Sequence, residues 1–107
     1  MPSLTITTPT SGSTVAHTFP AGGAFDIADL DQGDGVQNTV RSVVTQNGAV
    51  LDTKVYTIPG GTMSGPWGVT HVVPGSRVLT GCVVTATLLA DAIEICSTSV
   101  NNITISG

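Results

Sequence analysis

The chain has 107 residues, the length of one domain, and its 40% hydrophobic residues are sufficient for a single core. Charged residues amount to only 9%, with a net charge of −4 and just three cations, Arg41, Lys54 and Arg77. Nucleic acids and anionic membrane surfaces are bound by clustered cations, so this composition predicts neither as a partner. No apolar run reaches the roughly 20 residues of a membrane-spanning helix, which predicts no membrane insertion.

Short stretches rich in Val, Ile and Thr, separated by Gly and Pro, indicate strands rather than helices. The first stretch alternates apolar and polar residues and should end at Pro9, which has no N–H for a ladder. The second should end at Pro20, and Gly22-Gly23 should separate it from the third. In chain order the predicted strands are 3–8, 14–19, 24–30, 38–46, 50–58, 67–73, 78–89 and 93–105.

Asn47-Gly48 is the strongest turn signal in the chain, because both central residues of a type I′ turn need positive φ. It predicts a hairpin between the fourth and fifth strands. Turn signals recur about every 8–12 residues, and no stretch shows a helical period. This pattern predicts an all-β fold, a β-sandwich of seven to eight antiparallel strands in a single domain over residues 1–107.

The inward-facing positions of the predicted strands define a candidate core. Its members are Leu4, Ile6, Phe25, Ile27, Val40, Trp67, Val69, Val84, Ala86 and Ile103. Trp67 and Tyr56 could alternatively form an exposed platform for sugars, but one Trp and one Tyr are few for such a site. Burial of Trp67 removes a large apolar area from water, so we expect it in or beside the core.

Four of the seven acidic residues, Asp26, Asp29, Asp31 and Asp34, lie close together in the sequence. Calcium prefers several oxygen ligands, so Asp29, Asp31 and Asp34 are the candidate metal site. The segment does not follow the EF-hand pattern, because Val40 occupies the position of the closing Glu. A solvated loop with Asx turns accounts for the same residues and is the favoured interpretation. Apart from this calcium candidate, the sequence predicts no cofactor.

His17 and His71 are the candidate bases or metal ligands, but neither has a second ligand at metal-binding spacing. His71 is in phase with Trp67 and Val69 on a predicted strand, so we expect a partly buried, hydrogen-bonded residue of the sheet. The many Ser residues allow a Ser–His–Asp triad to be drawn, but nothing in the sequence selects one. We therefore predict no catalytic residues and no enzymatic activity.

The two cysteines, Cys82 and Cys96, belong to the last predicted hairpin. If Leu88 pairs with Ile93, the cysteines are out of register by about 10 Å along a strand. A disulfide requires Cα atoms within about 7 Å, although a longer loop or a bulge would close the gap. The sequence therefore leaves a disulfide and two free thiols as alternatives.

Several short motifs follow one another along the chain. They are residues 6–14, the Gly-x-Trp-x-Val-Thr pattern within 64–70, Pro74-Gly75, the Val-Val-Thr-Ala-Thr run at 83–87, and residues 100–106. In this order they resemble the immunoglobulin-like modules that occur in tandem in bacterial secreted and cell-surface proteins. Residues 20–60 match only loosely, Cys82 stands where these modules often have Tyr, and their Asp-x-x-Gly-Asn turn before the last strand is missing. The resemblance implies an immunoglobulin-like Greek-key sandwich.

The resemblance also implies a non-catalytic structural, spacer or display module of a larger exported or cell-surface protein, with neighbouring domains as partners. Any export signal would lie outside these residues, because no signal-peptide pattern opens the sequence. One alternative is an adhesin or a carbohydrate- or protein-binding module that uses the 31–35 loop, the 59–66 loop or a free strand edge. Another is a phage virion decoration domain.

Overall fold

The computed structural model describes residues 2–28 and 35–106. These residues are 70% strand and contain no helix, which confirms the predicted all-β class. Within these two ranges, no helix is long and apolar enough to cross a membrane. The strands are β1 (Ser3–Thr8), β2 (Thr14–Val15), β3 (Thr18–Asp26), β4 (Asn38–Gln46), β5 (Ala49–Thr57), β6 (Ser64–Val72), β7 (Leu79–Ala90) and β8 (Ile93–Ile105).

The strands form two sheets that enclose the core between them. Sheet A has three strands in the order β1-β3-β6, and sheet B has five in the order β2-β8-β7-β4-β5. Sheet B curls into a half-barrel. Neighbouring strands are antiparallel except β2 and β8, which run parallel. The two-sheet, eight-stranded architecture agrees with the predicted sandwich.

The predicted boundaries of the second and third strands are wrong. The segment 14–19 divides between the sheets, because β2 belongs to sheet B and β3 begins sheet A at Thr18. Pro20 and Gly22-Gly23 lie inside β3 rather than ending strands. β1 pairs with β3 only as far as Gly22, so no strand on that side requires an N–H from Pro20.

Gly23 allows β1 to approach β3 unusually closely. A Cβ atom at this position would overlap the backbone carbonyl of Thr5, and it would also lie 2.9 Å from the Cα of Ile6. The β1–β3 register shifts between Ile6 and Thr8 at the same place. The glycine that appeared to be a strand breaker is therefore a contact point between two backbones.

The hairpin between β4 and β5 is the predicted one. Gln46 pairs with Ala49, which leaves a two-residue turn. Asn47 and Gly48 both have positive φ, 51° and 82°, as a type I′ turn requires.

Two apolar clusters fill the space between the sheets. The first contains Leu4, Phe25, Ile27, Val40, Ile58, Trp67, Ala86 and Leu88. The second contains Phe19, Ala21, Val44, Val73, Cys82, Val84, Ile103 and Ile105. The predicted core residues are all buried except Ile6 and Val69, which are partly buried and pack against the clusters.

The last hairpin separates the cysteines further than the Leu88–Ile93 register considered from the sequence. Ala90 pairs with Ile93 around a tight turn, and a register shift follows, so that Cys96 lies opposite Leu88. Cys82 is six residues from Leu88 on the same strand, which corresponds to roughly 20 Å. Both cysteines are free thiols, and Cys82 is buried in the core. The structure therefore has two free thiols and no disulfide between Cys82 and Cys96.

The first and last strands reach opposite ends of the molecule. The body measures 45 × 20 × 19 Å, and its long axis follows β7 and β8, whose 12 and 13 residues each add about 3.3 Å. β1 begins beside Asp26, in the half that contains Phe25. β8 ends beside Leu79, in the half that contains Phe19.

We expect Gly23→Ala to lower the free energy of unfolding by at least about 2 kcal/mol, because β1 must move away to admit the methyl group. Gly60→Ala is the matched control, since a Cβ there has no atom within 4 Å. We expect that control to change the free energy by less than about 0.5 kcal/mol. Chemical denaturation measures both. Equal effects of the two substitutions would contradict the close approach of β1.

Candidate functional site

A chain of three side chains crosses the core between the sheets. Ser42 lies on the inner face of β4 between Val40 and Val44, and its Oγ is 2.8 Å from Nε2 of His71 on β6. The other ring nitrogen, Nδ1, is 2.8 Å from Oδ2 of Asp52 on β5. Ser42 and His71 face inward because they occupy the apolar phase of their strands, and Asp52 shares the less exposed phase of β5 with Lys54 and Tyr56.

The hydrogen bonds and the pKa shifts together determine which atoms of Ser42, His71 and Asp52 carry a proton. Burial lowers the pKa of His71 below its ordinary value of 6.5, and this outweighs the opposing effect of the Asp52 carboxylate. Burial raises the pKa of Asp52, but hydrogen bonds from His71 and Val72 outweigh it and hold the pKa below 3.8. At neutral pH an ionised Asp52 therefore accepts a proton from Nδ1–H, and Nε2 accepts the hydroxyl proton of Ser42.

Asp52 connects the exposed edges of the two sheets. Its Oδ2 also accepts the backbone N–H of Val72, at the edge of sheet A, at 3.1 Å. Its Oδ1 is 3.4 Å from Nζ of Lys54, which lies on the same strand and the same face. Inward-facing charges on an edge strand oppose pairing with another strand. The carboxylate therefore joins β5 to β6 and protects both edges.

The order of groups is that of a hydrolytic Ser–His–Asp triad, but the surroundings differ. A nucleophilic serine must reach its substrate, and donors must face the oxyanion that forms. Ser42 and His71 are both 0% exposed and lie between Phe19 and the inner face of β4. In this packed state the three side chains join the two sheets, and neither Ser42 nor His71 is exposed to solvent.

Of the three hydrogen-bonded side chains, the sequence singled out His71 but not Ser42 or Asp52. The prediction of a hydrogen-bonded sheet residue at His71 is confirmed, and its burial is complete rather than partial. Ser42 could have been recognised as the polar residue in phase with Val40 and Val44. Asp52 carried a weaker signal, because the register shift between Val44 and Thr45 hides its phase. The other histidine, His17, lies elsewhere, with Nε2 2.9 Å from the carbonyl of Arg77.

The candidate calcium ligands Asp29, Asp31 and Asp34 lie outside the described residues, so the calcium site stays a prediction. Their neighbour Asp26 accepts the backbone N–H of Ala28 at 2.9 Å, which makes the Asx turn expected of a loop. Over residues 2–28 and 35–106, no group of three or more His, Cys, Asp or Glu side chains could hold a metal ion.

The aromatic residues do not form an exposed platform. Phe19, Phe25 and Trp67 are buried in the core. The indole N–H of Trp67 donates to the carbonyl of Thr5 at 2.9 Å, as a buried Trp requires. Tyr56 is partly buried and packs against the first cluster. The prediction that Trp67 belongs to the core is confirmed.

An open depression of about 430 Å³ lies on the outer face of sheet A. Gly22 and Gly68, paired across β3 and β6, form part of its floor. The remaining residues around it are Thr7, Thr8, Pro20, Ala21, Gly23, Pro66, Trp67, Val69 and Thr70. We call this depression the glycine trough. It carries no charged side chain and is separate from the Ser42–His71–Asp52 chain.

A comparison with models of known protein families finds no match, and a search of curated proteins finds no similar sequence.

We expect Asp52→Ala to reduce the free energy of unfolding by about 2–3 kcal/mol, because Nδ1–H of the buried His71 and the backbone N–H of Val72 lose their acceptor. Glu94→Ala is the control: its carboxylate pairs with Arg41 at 3.0 Å on the surface, and its loss should cost at most about 1 kcal/mol. Urea denaturation at pH 7 measures both. A smaller loss for Asp52→Ala than for Glu94→Ala would show that the chain does not hold the sheets together.

Proposed function

We propose that this chain is a non-catalytic, immunoglobulin-like module that acts as a spacer or display unit in a larger exported or cell-surface protein. The observation that carries the proposal is the position of the terminal strands. β1 begins and β8 ends at opposite ends of a 45 Å body. Modules with this geometry join end to end, and each one extends the chain by about its own length.

The order of strands supports the immunoglobulin-like Greek-key topology. Sheet A combines β1, β3 and β6, while β4, β7 and β8 are neighbours in sheet B. This distribution corresponds to immunoglobulin domains, in which the first, second and fifth strands face the third, sixth and seventh. β2 then corresponds to a continuation of the first strand that has crossed to sheet B, and β5 to an added edge strand beside the third.

Exposed apolar side chains at the two ends of the body support neighbouring domains as partners. Met63 and Ile93, 51% and 69% exposed, lie at the end where β1 begins. Val78, 61% exposed, lies at the end where β8 finishes. A preceding module would cover Met63 and Ile93, and a following module would cover Val78.

The buried Ser42–His71–Asp52 chain supports a structural role rather than catalysis. Its serine and histidine are enclosed by the core, and its carboxylate is engaged by a backbone N–H of the opposite sheet. The same three groups would need an open face to act on a substrate.

A tandem protein of two copies tests the spacer function by small-angle X-ray scattering, with the single domain as control. We expect a maximum dimension roughly twice that of one domain, because the chain leaves each copy at the far end from its entry. Thermal unfolding should show the same midpoint for single and tandem proteins, since each module has its own core. A tandem protein no longer than one domain, with its copies side by side, would contradict the proposal.

The glycine trough supports a second candidate, a binding module of the adhesin or virion decoration type. Gly in the interior of a strand weakens the strand and often marks close approach of a ligand. Gly22 is explained by the Trp67 carbonyl, which would lie 2.6 Å from a Cβ there, whereas its partner Gly68 has open space above it on the outward face. An uncharged trough lined by Thr and Pro suits a neutral ligand, such as a glycan or an extended peptide.

Gly68→Val tests this second candidate, because the new side chain fills the trough without strain: the nearest atom to a Cβ there is the carbonyl oxygen of Ala21, at 3.8 Å. We expect the variant to be at least as stable as the wild type, since Val is favoured in strands. Immobilised glycans and peptides provide the readout. A ligand bound by the wild type and lost by the variant supports the trough, and a ligand bound equally by both contradicts it.

A further inference from the structure

Strand β5 is the element of sheet B whose attachment to sheet A depends most on the hydrogen-bonded side chains Ser42, His71 and Asp52. It is an edge strand, and none of its side chains is fully buried. In the described part of the chain, its side-chain hydrogen bonds to sheet A all come from Asp52, which binds His71 and the N–H of Val72. Elements with few buried contacts open locally before the whole domain unfolds.

We propose that Ser42, His71 and Asp52 form an acid-sensitive latch, in which uptake of one proton by His71 releases β5 from β6 while the other strands stay folded. The proton from solvent binds at Nε2, the nitrogen that accepts the hydroxyl proton of Ser42 in the closed state. An imidazolium donates at both nitrogens, so this hydrogen bond reverses: Nε2–H donates to Oγ of Ser42, and the hydroxyl proton loses its acceptor. Ser42 would then need another acceptor inside the core. Separation of β5 from β6 admits water to both Ser42 and His71.

The charges around His71 come from β5. Asp52 attracts the imidazolium, whereas Lys54 repels it. β4 contributes Ser42, and its Arg41 instead pairs with Glu94. β3 places the ring of Phe19 5.4 Å from the imidazole, and its only charged residue, Asp26, pairs with Ser64 at the far end of β6. β7 has no charged residue.

The direction of the pH effect follows from the number of protons bound in each state. In the closed state burial holds the pKa of His71 below 6.5, whereas in the open state the solvated ring has its ordinary value. The open state therefore binds more protons, and acid favours it. The latch is fully closed above about pH 6.5 and weakens as the pH falls toward the lowered pKa. Asp52, whose pKa lies below 3.8, adds a second loss only in stronger acid.

Amide hydrogen exchange between pH 7.5 and 5 tests the latch, after correction for the intrinsic pH dependence of exchange. We expect the protection of Val72, whose N–H is bonded to Asp52 of β5, to fall by up to about tenfold per pH unit below 6.5, as uptake of one proton requires. The amide of Val84, at the centre of sheet B, should keep its protection. Constant protection at Val72, or an equal loss at Val84 and Val72, would overturn the proposal.

Two variants identify the group that responds. His17→Gln removes the histidine outside the latch and should leave the pH dependence of exchange unchanged, while His71→Gln should abolish it. Because His71→Gln also changes packing in the core, Ser42→Ala provides an independent measurement. Without the hydroxyl donor, Nε2 takes up a proton more readily in the closed state, so the pKa of His71 in that state lies closer to its ordinary value. The loss of protection between pH 7.5 and 5 should therefore be smaller than in the wild type. A loss as large as in the wild type would also overturn the proposal.

Discussion

A histidine enclosed between two sheets has no water to bind, so both ring nitrogens need partners within the protein. In this domain the partners come from neighbouring strands of one sheet, Ser42 on β4 and Asp52 on β5, and the histidine comes from the other. This requirement determines the register of sheet B. A slip of β5 by one residue would turn Asp52 to the outer face and leave Nδ1 of His71 without an acceptor. The relative position of the two sheets at this corner is specified by the same contacts.

The same corner shows how a chain with few charges protects its sheet edges. Only 9% of the residues are charged, too few for rows of surface lysines to protect the sheet edges. On β5, Asp52 and Lys54 face inward, and the register shift beside them interrupts the edge. On β6, Pro66 lacks an N–H and the N–H of Val72 is occupied by Asp52. A few polar groups at chosen positions therefore discourage edge pairing that would otherwise lead to aggregation.

Local patterns predicted most strands, the core and the Asn47-Gly48 hairpin, because alternation and turn conformation depend on adjacent residues. What they could not predict depends on contacts between distant residues. Pro20 and Gly23 appeared to end strands. β1 pairs with β3 only as far as Gly22, so no N–H is needed from Pro20, and β1 approaches Gly23 so closely that only a glycine fits there. The register of the last hairpin depends on a bulge, and with it the separation of the cysteines.

The candidate site was less accessible to sequence reasoning than the fold. His71 was correctly expected in a hydrogen-bonded sheet position, but its partners belong to strands that are 29 and 19 residues away in the chain. A Ser–His–Asp set can be drawn from almost any sequence of this composition. Only the packing shows which members meet, and only their enclosure distinguishes a tether from a catalytic centre.

The parallel pairing of β2 with β8 also determines how the domain responds to mechanical load. Backbone hydrogen bonds join the two segments, among them Gly12 N–H to the Asn101 carbonyl, Thr104 N–H to the Ser13 carbonyl, and Ser106 N–H to the Val15 carbonyl. Tension applied to the two ends of the chain pulls these segments in opposite directions along their common axis. The bonds are then loaded in shear, all at once, rather than peeled apart one by one. The shortest strand of the fold thus lies where a stretched chain would bear its force.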